Sequence, residues 1–103
     1  MLTKMPKSWG VTSDSGYSVV RSGSPLTQFC IEYSEGDRRL HYYLENLMPG
    51  FHNRLVVSEI GPWQAPHEAD DISQEQQEAI ARRIVEAMSF LGDTLEIVYD
   101  HAA

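Results

Sequence analysis

Hydrophobic positions along this chain change their spacing twice, and the changes predict its elements. Between Thr27 and Tyr33 the apolar Phe29, Ile31 and Tyr33 alternate with Gln28, Cys30 and Glu32, the two-residue period of a half-buried strand. Arg38 to Glu45 repeats it, with Leu40, Tyr42 and Leu44 on one face and Arg39, His41 and Tyr43 on the other. Only Ser34-Glu35-Gly36-Asp37 separates the two runs, and Gly36 is able to take the positive φ of a tight turn. So short a loop predicts an antiparallel hairpin. An earlier strand is predicted over Tyr17 to Arg21, closed by the turn residues Ser22-Gly23-Ser24-Pro25. Pro49-Gly50, within Asn46 to Asn53, suits a type II turn. Arg54 to Ile60 is β-branched and apolar enough for a central strand.

The spacing then lengthens to three and four residues. Ile80, Ile84, Ala87, Met88 and Leu91 line one face of a helix, and Glu75, Glu78, Arg82, Glu86 and Ser89 the other. Ser73 followed by Gln76 predicts a capping box, and Gly92 a left-handed stop. Alternation returns in Leu95, Ile97 and Tyr99. Residues 1–15 are rich in Ser, Thr, Lys and Gly without a period, which predicts a flexible N-terminal arm with Trp9 pinned to the body. Residues 16–103 then form a single α+β domain. Its order predicts an antiparallel meander of about four to five strands, one C-terminal amphipathic helix packed on one face, and a short last strand. The faces Phe29/Ile31/Tyr33, Leu40/Tyr42/Leu44 and Leu55/Val57 are expected to meet the helix stripe.

Composition narrows the function classes. A chain of 103 residues is large enough for one modest core and too small for two. Fifteen acidic against eight basic residues leave a net charge of -7, which argues against nonspecific nucleic-acid or anionic-membrane binding. The same charge suits a basic protein partner. The lone Cys30 excludes a disulfide framework and a cysteine-only zinc site. No apolar run approaches a membrane span, and the opening Met-Leu-Thr-Lys-Met-Pro-Lys-Ser-Trp lacks the apolar core of a signal peptide. Both point to a cytoplasmic protein.

Catalytic and cofactor chemistry find little support. The glycines are scattered through turns, and no serine is framed by glycines as a nucleophile elbow requires. His67-Glu68 is followed by Asp71 where a zinc-binding pair needs a second histidine. His67, Glu68, Asp70 and Asp71 together would hold a divalent ion loosely at best, and an acidic loop leading into a helix N-terminus accounts for them better. Cys30 with His41 or His52 could form a thiolate pair, but a strand-centre cysteine reads first as an inert packed thiol. Trp63, in Gly61-Pro62-Trp63-Gln64-Ala65-Pro66, is either a plug at the end of the sheet or an interface anchor.

The order of these features resembles a known family. Ile31-Glu32-Tyr33-Ser34-Glu35-Gly36-Asp37, a return strand ending Leu44-Glu45, then Ile60-Gly61-Pro62-Trp63-Gln64-Ala65-Pro66, and a helix closing at Phe90-Leu91-Gly92 before Glu96-Ile97 resemble the immunity protein 74 family of bacterial polymorphic toxin systems. The likeness covers residues 27–98. Gln64 departs from it, standing where the family commonly carries an acid. The resemblance implies a non-enzymatic cytosolic inhibitor that binds a cognate secreted toxin. Trp63 rimmed by His67, Glu68, Asp70 and Asp71 is the expected partner-binding surface, an aromatic anchor among acids. A small structural or regulatory module that forms a homodimer through its sheet is the alternative.

Overall fold

The structure is a computed structural model, and it describes residues 1–6, 9–22, 29–44 and 53–100, with the side chains of Phe29 and Asn53 excepted. The predicted turns at Gly23-Ser24-Pro25 and Pro49-Gly50 lie outside the described residues. Five antiparallel strands follow one another across a sheet in chain order: β1 (Leu2–Lys4), β2 (Trp9–Ser13), β3 (Tyr17–Ser22), β4 (Phe29–Glu35) and β5 (Arg38–Leu44). The one α-helix among the described residues, α1 (Gln74–Phe90), packs on one face of that sheet. β6 (Asn53–Val56) and the final strand β7 (Leu95–Val98) form a separate two-stranded parallel pair. The chain is α+β, as its pattern predicts.

Local rules account for the hairpin and the helix. Glu35 pairs with Arg38 across two turn residues, of which Gly36 takes φ +61°. That turn brings Ile31, Tyr33, Leu40, Tyr42 and Leu44 to one buried face, because side chains alternate along a strand. In α1 the Ser73 hydroxyl accepts from the Gln76 N–H at 3.1 Å while the Gln76 side chain accepts from the Ser73 N–H at 2.8 Å. Two of the donors that every helix start leaves unpaired are thereby satisfied. Ser73→Ala should cost about 1 kcal/mol, and an unchanged urea midpoint would show that the cap contributes nothing. Ile80, Ala81, Ile84, Ala87 and Met88 are buried beneath the helix, and Gly92 ends it with φ +93°.

Two expectations are corrected. Within residues 1–15, where a flexible arm was expected, Leu2–Lys4 and Trp9–Ser13 pair as strands β1 and β2. Among the described residues there, Val11 alone has a fully buried side chain, too few for a periodic signal, so pairing with β3 sets the conformation. Gly10 permits it, because a Cβ at that position would lie 2.9 Å from the Val19 carbonyl oxygen. The Trp9 indole N–H donates to Asp93 just beyond α1 at 2.8 Å, and Arg21 pairs with the same carboxylate at 2.7 Å. Trp9 is indeed pinned to the body.

The second correction concerns Arg54 to Ile60, expected as one central strand. Pairing stops at Val56, and Val57–Glu59 is a single 3-10 turn. Its strand neighbour is β7, reached only through the helix, as parallel pairing requires a crossover. Ser58 is held at the break by Asp100, which accepts from the Ser58 N–H at 3.0 Å and from its hydroxyl. The turn shifts the inward positions from a strict two-residue period to Leu55, Val57 and Ile60, all buried.

Candidate partner-binding surface

The segment from Ile60 to Asp71 crosses from the 3-10 turn to the start of α1, and hydrogen bonds fasten it to α1, to β5 and to itself. The Gln77 side chain on α1 donates to the Ile60 carbonyl at 2.8 Å. The Gln64 N–H donates to the Arg39 carbonyl on the outer edge of β5 at 2.7 Å. Turns then close from the His67 N–H to Gln64 and from the Asp70 N–H to His67, each at 2.9 Å. Gly61 has φ +105°, a backbone conformation that favours glycine, and the end of the Ile72 side chain lies 2.9 Å from where a Cβ would stand. The bonds preceding Pro62 and Pro66 are cis.

Trp63 points inward. It is 4 % exposed, with its ring 6.3 Å from that of Tyr33, which stacks in turn on Tyr17 at 5.9 Å. Arg83 of α1 covers this aromatic row: its guanidinium lies 4.9 Å from the Tyr17 ring centre and donates to the Tyr33 hydroxyl at 2.8 Å and Glu35 at 2.6 Å. Burial, against the opposing pull of the Arg83 hydrogen bond, pushes the Tyr33 hydroxyl up to about 12. Of the two sequence readings, the structure takes the plug. Trp63 anchors the loop and presents no surface to a partner.

The acids expected around Trp63 divide into two sets. Asp70 is committed: Arg38 pairs with it at 3.0 Å, and the His67 Nδ1 lies 3.3 Å away. The other nitrogen of His67 faces Asp37 of the hairpin turn at 3.4 Å. His67 and Asp70, two of the four residues expected to bind a partner, are therefore spent on locking the loop to the hairpin, since a charge-assisted contact fixes geometry as well as energy. Glu68 and Asp71 are exposed and enter no ion pair among the described residues. Across positions 55–81 every charged side chain other than histidine is acidic, comprising Glu59, Glu68, Asp70, Asp71, Glu75 and Glu78. Among the described residues no cluster of His, Cys, Asp or Glu is placed to hold a metal.

A second polar group lies on the outer face of the hairpin. Glu32 and His41 are cross-strand partners, with His41 Nε2 3.1 Å from the carboxylate and Nδ1 2.8 Å from the Gln64 side-chain nitrogen. Gln64 as donor leaves the Nε2–H to donate to Glu32. Both ring nitrogens are thus occupied, and His41 orients its neighbours instead of offering a basic atom. The Tyr43 ring stands edge-on to His41, 6.2 Å away, and is 58 % exposed. The Glu32–His41 pair was readable from the hairpin register, but Gln64 as its third member was not.

Cys30, read from the sequence as an inert packed thiol, shares this outer face and is half-buried. Burial pushes its thiol up, and Glu32 raises it further, with a hydrogen bond from Tyr43 as partial offset. A raised thiol holds less of the reactive thiolate near neutrality. Thiol labelling at about pH 8 should be slower in the folded than the unfolded chain, and Glu32→Gln should speed the folded reaction by removing a repelling charge. Equal rates for folded and unfolded protein would contradict that account.

Comparison with protein families, curated proteins and solved structures finds no match to this chain. Among the described residues no helix is long and apolar enough to cross a membrane.

Proposed function

We propose that this chain is an immunity protein, acting in the cytosol of a bacterium, that binds and neutralises a cognate secreted toxin without catalysis. The observation that carries the reading is the loop Ile60–Asp71. The Trp63 and Pro66 motif of the family resemblance lies in a segment anchored by a buried indole and main-chain hydrogen bonds. That segment holds Glu68 and Asp71 outward on a fixed scaffold. A pre-ordered acidic surface loses little entropy on binding and accelerates encounter with a basic partner. The hydrogen-bonded imidazole and raised thiol of the outer face support binding over reaction.

The test is co-expression with the product of the neighbouring gene. A stoichiometric complex that abolishes the toxicity of its C-terminal domain is expected. Undiminished toxicity and no complex would overturn the proposal. Within such a complex, reversing Glu68 and Asp71 to lysine should slow association by about tenfold or more at low salt, with a smaller effect at high salt. Stability should change by less than about 0.5 kcal/mol, as for surface sites outside any network. Asp70 is unsuitable for that experiment, because its reversal also breaks the Arg38 and His67 contacts. An unchanged association rate would move the interface away from this loop.

A further inference from the structure

We infer that the open part of the β5 edge binds an extended basic segment of a partner polypeptide, adding it to the sheet as a further strand. β5 is the last strand of the five-stranded sheet. Glu35 and Arg38 flank a two-residue turn and therefore exchange hydrogen bonds, and the alternation of an antiparallel ladder does the rest. Arg38, Leu40, Tyr42 and Leu44 turn their N–H and C=O groups toward β4. Arg39, His41 and Tyr43 turn theirs away from it.

The first outward position is in use, since the Arg39 carbonyl accepts from the Gln64 N–H at 2.7 Å. This shows the edge already pairing with main chain. Beyond it, no main-chain partner for His41 or Tyr43 occurs on this side among the described residues. The edge opens instead into a cleft of about 420 Å³ lined by His41, Tyr43, Glu59, Pro62 and Gln64. The usual protections of a bare edge, an in-strand lysine, proline or bulge, are missing from His41 to Tyr43.

Charge selects the occupant. Among the described residues, the side chains lining the cleft include the carboxylate of Glu59, held by the Tyr42 hydroxyl at 3.3 Å, and no lysine or arginine. Glu32 stands beside His41 on the outer face. A second copy of this chain would bring these acids against their own equivalents, with a net charge of -7 on each side. A segment alternating lysine with β-branched residues sets all its cations on one face of the added strand, the face toward Glu59 in the cleft, while its main chain completes the edge. The inference does not depend on the partner being a toxin.

The probe is the peptide Lys-Val-Lys-Val-Lys-Val, followed by amide hydrogen exchange on the labelled protein. Without peptide, the His41 and Tyr43 amides should exchange fast while those of Leu40 and Tyr42 are protected. Peptide should slow exchange at His41 and Tyr43 by about tenfold or more. The same peptide N-methylated at alternate residues, or with glutamate for lysine, should do neither. Tyr43→Pro removes an outward N–H that the β4 ladder does not use, and should abolish binding, whereas Tyr43→Ala should keep it within about threefold. If Tyr43→Pro fails to fold, the N-methylated peptide decides alone. The inference is overturned by absent protection at about 1 mM peptide, or by equal binding of the N-methylated peptide. It is also overturned by protection that rises with protein concentration without peptide, which would make the occupant a second copy.

Discussion

Trp63→Ala should lower the unfolding free energy by about 3–5 kcal/mol, the cost of truncating a buried large aromatic. The indole is 4 % exposed and lies beside Tyr33 and the Tyr17–Arg83 stack, so its removal leaves a cavity lined by rigid rings. Those rings are held by strand pairing on one side and by Arg83 on the other, and cannot collapse into the space. The affinity of the folded fraction for a partner should change by less than about tenfold, because the side chain offers no outward surface. Equilibrium denaturation and a binding titration on this one variant check both statements. A stability loss below about 1 kcal/mol with strongly weakened binding would make Trp63 an interface residue after all.

Ile84→Ala is the second large effect, expected to cost about 2–5 kcal/mol. Ile84 is fully buried at the centre of α1, between Ile80 and Met88 on the same face. Two terms oppose each other. Alanine is the better helix former by a few tenths of a kcal/mol, while the lost methylene groups and the cavity cost several-fold more. Packing wins, and the sign is unambiguous. Ile84→Val should cost only about 0.5–1.5 kcal/mol, since it removes a single methyl group. If Ile84→Ala left stability unchanged or raised it, the helix would be held by its own propensity and not by the sheet.

The hairpin and the helix were legible because each is decided by neighbours in the chain. Alternation from Phe29 to Leu44 around Gly36 sets the register that buries Ile31, Tyr33, Leu40 and Tyr42 together; a one-residue slip of either strand would turn its own pair to the opposite face. The stripe of α1, with its Ser73–Gln76 box and Gly92 stop, is equally local. Glu32 facing His41 follows from the same register. Strands β1 and β2 carry too few apolar residues to signal themselves, and they exist through pairing with β3. The break at Val57 depends on β7 and Asp100, 42 positions from Ser58.

The binding surface shows the same division. Sequence alone determined an acidic, α+β domain with one amphipathic helix and a rigid Trp63 loop, because charge, periodicity and glycine or proline placement act over a few residues. Whether Trp63 faced the core or a partner was decided by the aromatic row of Tyr17, Tyr33 and Arg83, drawn from two strands and the helix. Which acids remained available was decided by the hairpin turn, whose Asp37 and Arg38 engage His67 and Asp70 across about 30 residues of chain and leave Glu68 and Asp71 outward. Among the described residues, the returning loop makes a main-chain hydrogen bond to β5 at Arg39 alone, which leaves His41 and Tyr43 open beyond it. Contacts between distant segments depend on how elements stack in space, and local pattern carries no information about which carboxylate or backbone group a neighbouring element will reach first.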